Sequence, residues 1–150
     1  MRNFEIIQLN KSLLNYDLAS LVRESKDDGF RFVERLRNEY KNGSNTFQRY
    51  GEGLFGVFTE ECVLVAIGGL NQDPYSNDAN VGRLRRFYVR KEYRRMGIGR
   101  ILVERIMEEA RNYFEIMVLH TDTEQADEFY SRMGFSKAST YPNSSHYMRI

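Results

Sequence analysis

Residues 83–99 read RLRRFYVRKEYRRMGIG, and this stretch organises the rest of the chain. A strand-like run, residues 84–89, leads through a short charged turn into a second turn, which contains Gly97 and Gly99 and opens an amphipathic helix. Between residues 83 and 100 there are eight Arg or Lys side chains and one acid, Glu92. Because free N–H groups and the helix dipole favour negative charge at a helix N-terminus, the stretch predicts a site for a small polyanion.

The composition is that of an ordinary globular domain. The 150 residues carry a formal net charge of +1, so the positive charge of residues 83–99 is local. This length predicts one domain, residues 1–150, with a core of its own. So small a net charge removes the general argument for a nucleic-acid partner. No apolar run approaches the ~20 residues of a membrane helix and the N-terminus lacks a signal core, so we expect a cytoplasmic protein without membrane contact.

The single cysteine, Cys62, cannot form an internal disulfide. It begins the apolar run CVLVAIGGL, residues 62–70. A small buried hydrophobic residue is therefore the favoured interpretation of Cys62, ahead of a nucleophile.

Hydrophobic periodicity predicts a mixed α/β sheet with the order β-α-α-β-β-β-α-β-α-β. The expected strands are residues 4–9, 53–58, 62–70, 84–89, 114–119 and, more weakly, 145–150. The expected helices are residues 13–23, 30–40 and 98–112, with a fourth from about residue 123. Thr121 and Glu124 have the spacing of a capping box before that fourth helix, and Gly134 stands where a left-handed cap would end it.

Two common phosphate-binding fingerprints are absent from the glycine turn. A Walker loop requires GxxxxGK[ST] and a dinucleotide fold requires GxGxxG, whereas Arg94, Gly97 and Gly99 give the order Arg-x-x-Gly-x-Gly. Taken alone, a GxG before a helix is equally compatible with close packing of the helix on its strand.

Two segments resemble the GNAT superfamily of N-acetyltransferases. Residues 86–110, RFYVRKEYRRMGIGRILVERIMEEA, resemble its signature, in which the acyl-CoA loop has the form [Arg/Gln]-x-x-Gly-x-[Gly/Ala]. Residues 126–135, ADEFYSRMGF, resemble the A-x-x-F/L-Y-x-x-x-G-F helix of the same family. The resemblance covers about residues 54–135. It implies the GNAT-like acyl-CoA N-acyltransferase fold, acetyl-CoA as co-substrate, no metal, and direct transfer of an acetyl group to a primary amine.

The resemblance also implies the cofactor contacts. Backbone groups of the central strand would pair with the pantetheine arm, a bulge would interrupt that strand, and the amides of residues 95–100 would hold the pyrophosphate with help from the Arg94 and Arg95 guanidiniums. The implied cofactor-binding residues are Phe87, Tyr88, Val89, Arg94, Arg95, Met96, Gly97, Ile98, Gly99, Arg100, Thr121 and Phe129.

Tyr130 is the predicted general acid, which would protonate the departing CoA thiolate; the alternative is that its ring only packs. Many relatives carry a glutamate, which acts as the general base, where this chain has Arg83. The general base of this chain is therefore left open. The candidates are a water relay, Asp73, Glu115, His120 and Asp122. Arg83 and Arg85 suggest an acceptor that carries a carboxylate or phosphate, and Asp73 and Tyr75 would lie on the acceptor side. An equal alternative is that both arginines are solvated strand residues.

Three classes of function are kept. An N-acetyltransferase for a small molecule or peptide is preferred, followed by a non-catalytic CoA-binding module. A nucleic-acid binder is ranked last, because the arginines have no interleaved aromatic platform. Acceptor identity and oligomeric state stay open, a homodimer included.

Overall fold

The computed structural model describes residues 3–150, and within them seven strands form a single mixed sheet. The strands are β1 Phe4–Gln8, β2 Gly53–Thr59, β3 Leu64–Gln72, β4 Val81–Val89, β5 Ile116–Leu119, β6 Ser136–Lys137 and β7 His146–Arg149. Their order across the sheet is β1-β2-β3-β4-β5-β7-β6, with β4 and β5 parallel and every other pair antiparallel.

Helices cover both faces of this sheet. They are α1 Ala19–Asp27, α2 Phe32–Asn42, α3 Ile98–Ala110 and α4 Glu124–Arg132. The apolar sides of α1 and α2 form one core with Phe47, Ile67 and Tyr88, and α3 and α4 form a second core with Phe55 and Leu84. No helix in the described part of the chain is long and apolar enough to cross a membrane.

The predicted order of elements is confirmed, including the closing strand at the C-terminus, to which the structure adds the two-residue strand β6. The first helix, however, begins later than residue 13. Leu13–Asn15 form a short 3-10 turn, Tyr16 is extended, and the Asp17 carboxylate accepts the Ala19 N–H at 2.9 Å where α1 begins. The leucines of residues 13–23, which have helical spacing in the sequence, therefore belong to two separate elements.

The caps of α4 differ from the prediction at one end. Thr123, not Thr121, is the N-cap, and its hydroxyl accepts the Ala126 N–H at 3.2 Å. At the other end Gly134 has φ of +106°, with its N–H bound to Ser131 O and the next N–H bound to Tyr130 O. These two bonds form a Schellman motif, as the glycine predicted.

The expectation of a buried Cys62 is wrong. The thiol is exposed, because the residue belongs to the β2–β3 turn with φ of +65° and not to β3, which starts at Leu64. Its N–H donates to Thr59 O at 3.0 Å and closes the turn. The apolar run begins two residues before the strand does.

A bulge interrupts β4, as the family resemblance implied. Arg86 has φ of +59°, and the register with β3 shifts between the pairs Gly69↔Arg85 and Ile67↔Tyr88. Because one residue is inserted, Leu84 and Phe87 both pack toward α3, and the side chains of Arg85 and Tyr88 lie on the other side. The bulge therefore separates an arginine-rich half of β4 from a half that faces α3 and α4.

Candidate active site

The central feature of the site is a gap between β4 and β5. The two strands pair over only three positions, Val81↔Ile116, Gly82↔Met117 and Arg83↔Val118, whereas β4 continues to Val89. Residues 84–89 thus have β3 on one side and no strand on the other.

The backbone of Val89 faces that open edge. Arg90 N–H donates to Val65 O at 2.9 Å, and Tyr88 pairs with Ile67 in the same register. Since backbone groups of alternate residues point to alternate sides of a strand, the groups of Val89 point away from β3. Its carbonyl accepts from Arg94 Nε at 2.9 Å, which leaves the Val89 N–H as the donor offered to the gap.

The edge leads into a cradle of unused amides at the start of α3. Arg95 and Gly97 have φ of +63° and +81°, an arrangement that turns successive N–H groups toward one side. Among residues 3–150 the N–H groups of residues 95–100 have no hydrogen-bond acceptor. The first N–H of α3 that makes a helical hydrogen bond is that of Ile101, which donates to Gly97 O. Six consecutive free donors at a helix N-terminus suit a pyrophosphate.

Aromatic rings close the gap from the side of α3 and α4. The Phe87 ring lies 5.9 Å from Phe129 and 6.0 Å from Tyr130, measured between centroids. A Cβ placed on Gly99 would stand 3.3 Å from Phe129 and 3.6 Å from Phe87, so the glycine lets the helix approach both rings. The family-implied residues Phe87, Gly99 and Phe129 are therefore brought together.

Tyr130 spans the gap itself. Its ring contacts Phe87 of β4 and His146 of β7, two strands that β5 separates in the sheet. Within the described residues its hydroxyl makes no hydrogen bond, and burial raises the pKa of the Tyr130 phenol well above its ordinary value. The phenol is therefore protonated at neutral pH and is free to donate.

Most of the positive charge of the stretch is already compensated. Six of the eight cations in residues 83–100 form ion pairs: Arg83 with Asp73, Arg86 with Glu39, Arg90 with Glu24, Lys91 and Arg94 with Asp28, and Arg100 with Glu104. In residues 3–150, Arg85 and Arg95 have neither an ion pair nor a hydrogen bond from their side chains. Two of the eight cations, Arg85 and Arg95, therefore have no ion pair, and Lys91 and Arg94 share the single charge of Asp28.

Arg94 organises the loop before α3. Its guanidinium binds Asp28 at 2.6 Å as well as Val89 O, and it lies 5.3 Å from the centre of the Tyr88 ring. Burial raises the pKa of Asp28, but hydrogen bonds and charges from Arg94 and Lys91 outweigh this and hold the pKa below its ordinary value. Arg94 is thus tied to the α1–α2 connection, while Arg95 is the exposed guanidinium beside the cradle.

Tyr88 is directed to the opposite face of the sheet. Its ring packs with Phe30 and Phe32, and its hydroxyl donates to Glu24 at 2.9 Å. Burial and this bond raise the pKa of Tyr88. The structure therefore directs the Tyr88 side chain away from the gap.

Four residues of the β5–α4 loop, α4 and the start of β7 form a hydrogen-bond network that the sequence did not reveal. His146 is buried; its Nε2 lies 2.7 Å from Asp127 Oδ1, and its Nδ1 lies 2.8 Å from Ser145 Oγ. That hydroxyl oxygen accepts the Thr121 N–H at 2.9 Å. The network ties the β5–α4 loop to β7. No spacing rule joins these residues, so only the fold identifies them.

Arg83 and Asp73 form a buried pair. Arg83 Nε lies 2.7 Å from Asp73 Oδ1, and the other guanidinium nitrogens donate to Asn143 O and Pro142 O at 2.8 and 2.9 Å. Asp73 also accepts the N–H groups of Tyr75 and Ser76. The Tyr75 ring covers the guanidinium, with its centre 4.8 Å away. Arg83, Asp73 and Tyr75 are therefore brought together, with every polar group of the ion pair engaged.

The remaining candidates for a base, Glu115, His120 and Asp122, are all exposed. Two concavities of about 250 and about 310 Å³ lie elsewhere, beside the β2–β3 turn, where both are lined by Tyr16 and Phe58. Neither includes a residue of the gap.

Comparison with known proteins agrees with this geometry. The model of the acetyltransferase (GNAT) family matches residues 17–135. The chain belongs to the GNAT family. A solved structure from Exiguobacterium sp. 255-15, inferred to be an acetyltransferase, is 33% identical with a TM-score of 0.87, covering 98% of this chain and 93% of that one.

Two more distant GNAT-like structures share the fold. An acetyltransferase of the GNAT family from Staphylococcus aureus Mu50 is 20% identical, with a TM-score of 0.75 and coverage of 98% and 99%. A spermidine N-acetyltransferase variant from Vibrio cholerae is 14% identical, with a TM-score of 0.66 and coverage of 97% and 93%. The GNAT family uses acyl-CoA donors, so this chain is an acyltransferase with an acyl-CoA donor and an acceptor.

A first test concerns the cradle of this GNAT protein. Gly97→Val places a β-branched side chain at φ of +81°, which costs about 1–2 kcal/mol or displaces the backbone. We expect CoA to bind about tenfold more weakly or worse, because each N–H of residues 95–100 that no longer reached a bound phosphate would lose about 1.5–3 kcal/mol. Titration calorimetry with CoA measures the change.

The chain contains a matched control for that variant. Gly43 at the end of α2 has the same backbone angles as Gly97, φ 81° and ψ 3°, and a Cβ at either glycine meets no atom within 4 Å. Gly43→Val should lose similar stability in urea and keep its CoA affinity. Equal affinities of the two variants for CoA would refute the prediction that residues 95–100 bind its pyrophosphate.

Proposed function

We propose that the chain transfers the acetyl group of acetyl-CoA directly to a primary amine. The observation that carries this is the continuity of the site: the open edge of β4 at Val89 leads into six free amides, and Tyr130 stands across the gap. Backbone groups of Phe87 and Val89 pair with the pantetheine arm as an added strand would. The amides of residues 95–100 bind the pyrophosphate, and the Arg95 guanidinium adds a charge-assisted bond.

The neutral amine nitrogen attacks the thioester carbonyl carbon and the C–S bond breaks. The nitrogen, now bonded to the acetyl carbon, releases its extra proton to water, which leaves a neutral amide. The Val89 N–H donates to the carbonyl oxygen as negative charge develops there. Tyr130 gives its proton to the departing sulfur and regains one from solvent. Proximity of two bound reactants supplies much of the remaining acceleration.

The amine must lose a proton before it attacks. With a pKa of ~10.4, only about 1 in 2,500 lysine-like amines is neutral at pH 7, a deficit of about 4.6 kcal/mol. Asp73 is already bound to Arg83 and two backbone N–H groups, so it is a poor acceptor for this proton. We assign the proton to water at the mouth of the gap, near the exposed His120 and Asp122.

A thiol-release screen tests this function. Acetyl-CoA is incubated with the protein and with amines, amino acids, polyamines or short peptides, and free CoA thiol is measured against a sample without amine. We expect amine-dependent release for at least one class. The main alternative, a CoA-binding module without catalysis, predicts that CoA raises the melting temperature while no amine stimulates thiol release. That combined result would reject the enzyme.

A further inference from the structure

Of the two cations of residues 83–100 that have no ion pair, one lies in the turn before α3 and the other on β4. Arg95 is exposed beside the cradle that would hold the CoA pyrophosphate. Arg85 is half-buried, and it lies across β3–β4 from Gly69. The Phe47 ring packs directly on Gly69 and belongs to the core under α1 and α2, so Arg85 also lies on that face.

No side chain in the described chain forms an ion pair or a hydrogen bond with the Arg85 guanidinium. Glu39, whose charge acts on Arg85, is itself bound by Arg86 at 2.8 Å, and Asp73 is bound by Arg83 at 2.7 Å. Burial lowers the pKa of Arg85, and the neighbouring charge of Arg86 lowers it further, so the charged guanidinium is held in an unfavourable environment. An arginine remains protonated nonetheless, and an anion placed beside it would relieve this cost.

The position of Arg85 relates it to the reacting atoms. β5 leaves β4 after Arg83, so Arg85 stands at the mouth of the gap. It precedes Phe87 by two residues, at most about 7 Å along the strand. A molecule that entered from the α1–α2 side could reach the guanidinium with one group while its amine reached the thioester.

We propose that Arg85 binds a carboxylate of the acceptor, so that the substrate is an amine that also carries an acidic group, such as an amino acid or short peptide. This rests on the proposed function. A planar guanidinium pairs bidentately with a carboxylate, which fixes the acceptor's direction as well as its distance. Arg83, each of whose three guanidinium nitrogens already has a partner, supports the site without touching the acceptor. Acceptors that carry only positive charges are disfavoured.

The test compares acceptors that differ only in charge. Each amino acid active in thiol release is paired with the amine of the same length that lacks the carboxylate, and with an aminoalkyl phosphate. For the wild type, kcat/KM should favour the carboxylate. In Arg85→Gln it should fall about 10- to 100-fold for the carboxylate, mainly through KM, and change little for the plain amine. Arg85→Lys should recover part of the loss.

Arg35→Gln on α2 removes an exposed arginine with the same change in net charge and should behave like the wild type. KM for acetyl-CoA should not change in any of these variants. If amines react without preference for the carboxylate, or the phosphate is preferred, the inference fails and the acetyltransferase stands. If no amine reacts at all, both the proposed function and this inference are wrong.

Discussion

Tyr130→Phe is expected to lower kcat about 100-fold while CoA affinity stays within about twofold of the wild type. The substitution removes only the hydroxyl, and a positioned proton donor contributes about 10²–10⁴ to a rate. The ring contacts with Phe87, Phe129 and Phe135 do not involve the hydroxyl, so phenylalanine preserves the packing. Single-turnover acetyl transfer, followed with the best acceptor from the screen, measures the chemical step directly.

The pH dependence sharpens that expectation. Because burial raises the pKa of Tyr130, the phenol stays protonated through the neutral and mildly alkaline range. The profiles of log kcat for wild type and Tyr130→Phe should therefore run parallel, displaced by a constant amount. An alkaline limb present in the wild type and missing from the variant would mean that the phenol titrates in this range, against the assignment.

Tyr147→Phe provides the matched control. Tyr147 lies on β7 next to His146, and its ring packs with Tyr141 in a small separate cluster. It loses a hydroxyl of the same kind at a position away from the gap, so its kcat should equal that of the wild type. If Tyr130→Phe also keeps the wild-type rate, Tyr130 only packs.

The features that were predictable from sequence are those that local chemistry determines. Gly97 at positive φ, the free amides after it and the Schellman end at Gly134 depend on residues a few positions apart. The order of strands and helices follows from periodicity in the same way. The predictions that failed lie at element boundaries. Thr121 has the capping-box spacing to Glu124, yet Thr123 is the N-cap, with an extended backbone and a hydroxyl that accepts the Ala126 N–H.

Charge was the feature that the sequence described least well. A count of cations in residues 83–100 shows a strong positive patch, yet the compensating acids Asp28 and Glu39 come from α1, α2 and their connection, more than 40 positions earlier. The His146 network likewise joins positions 121, 127 and 145–146 through the packing of β7 on the β5–α4 loop. Such pairings are properties of the folded chain, which is why Arg83 and Arg85 looked alike in the sequence.

Arg83→Met is expected to cost about 3–5 kcal/mol of unfolding free energy, because it leaves the Asp73 carboxylate buried without its partner. Asn143 O and Pro142 O also lose their donors. Urea denaturation measures the loss. Arg85→Met, which removes an unpaired arginine two residues away on the same face, should change stability by less than about 1 kcal/mol or increase it.

The double variant Arg83→Met with Asp73→Leu separates the ion pair from simple packing. Replacing both charges by apolar groups removes the unpaired carboxylate, so the double variant should be more stable than Arg83→Met alone. Its CoA affinity should remain that of the wild type, since neither residue contacts the cradle. If Arg83→Met were as stable as Arg85→Met, the buried ion pair would not stabilise the end of the gap at β4. The assignment of a supporting role to Arg83 and a substrate-binding role to Arg85 would then be wrong.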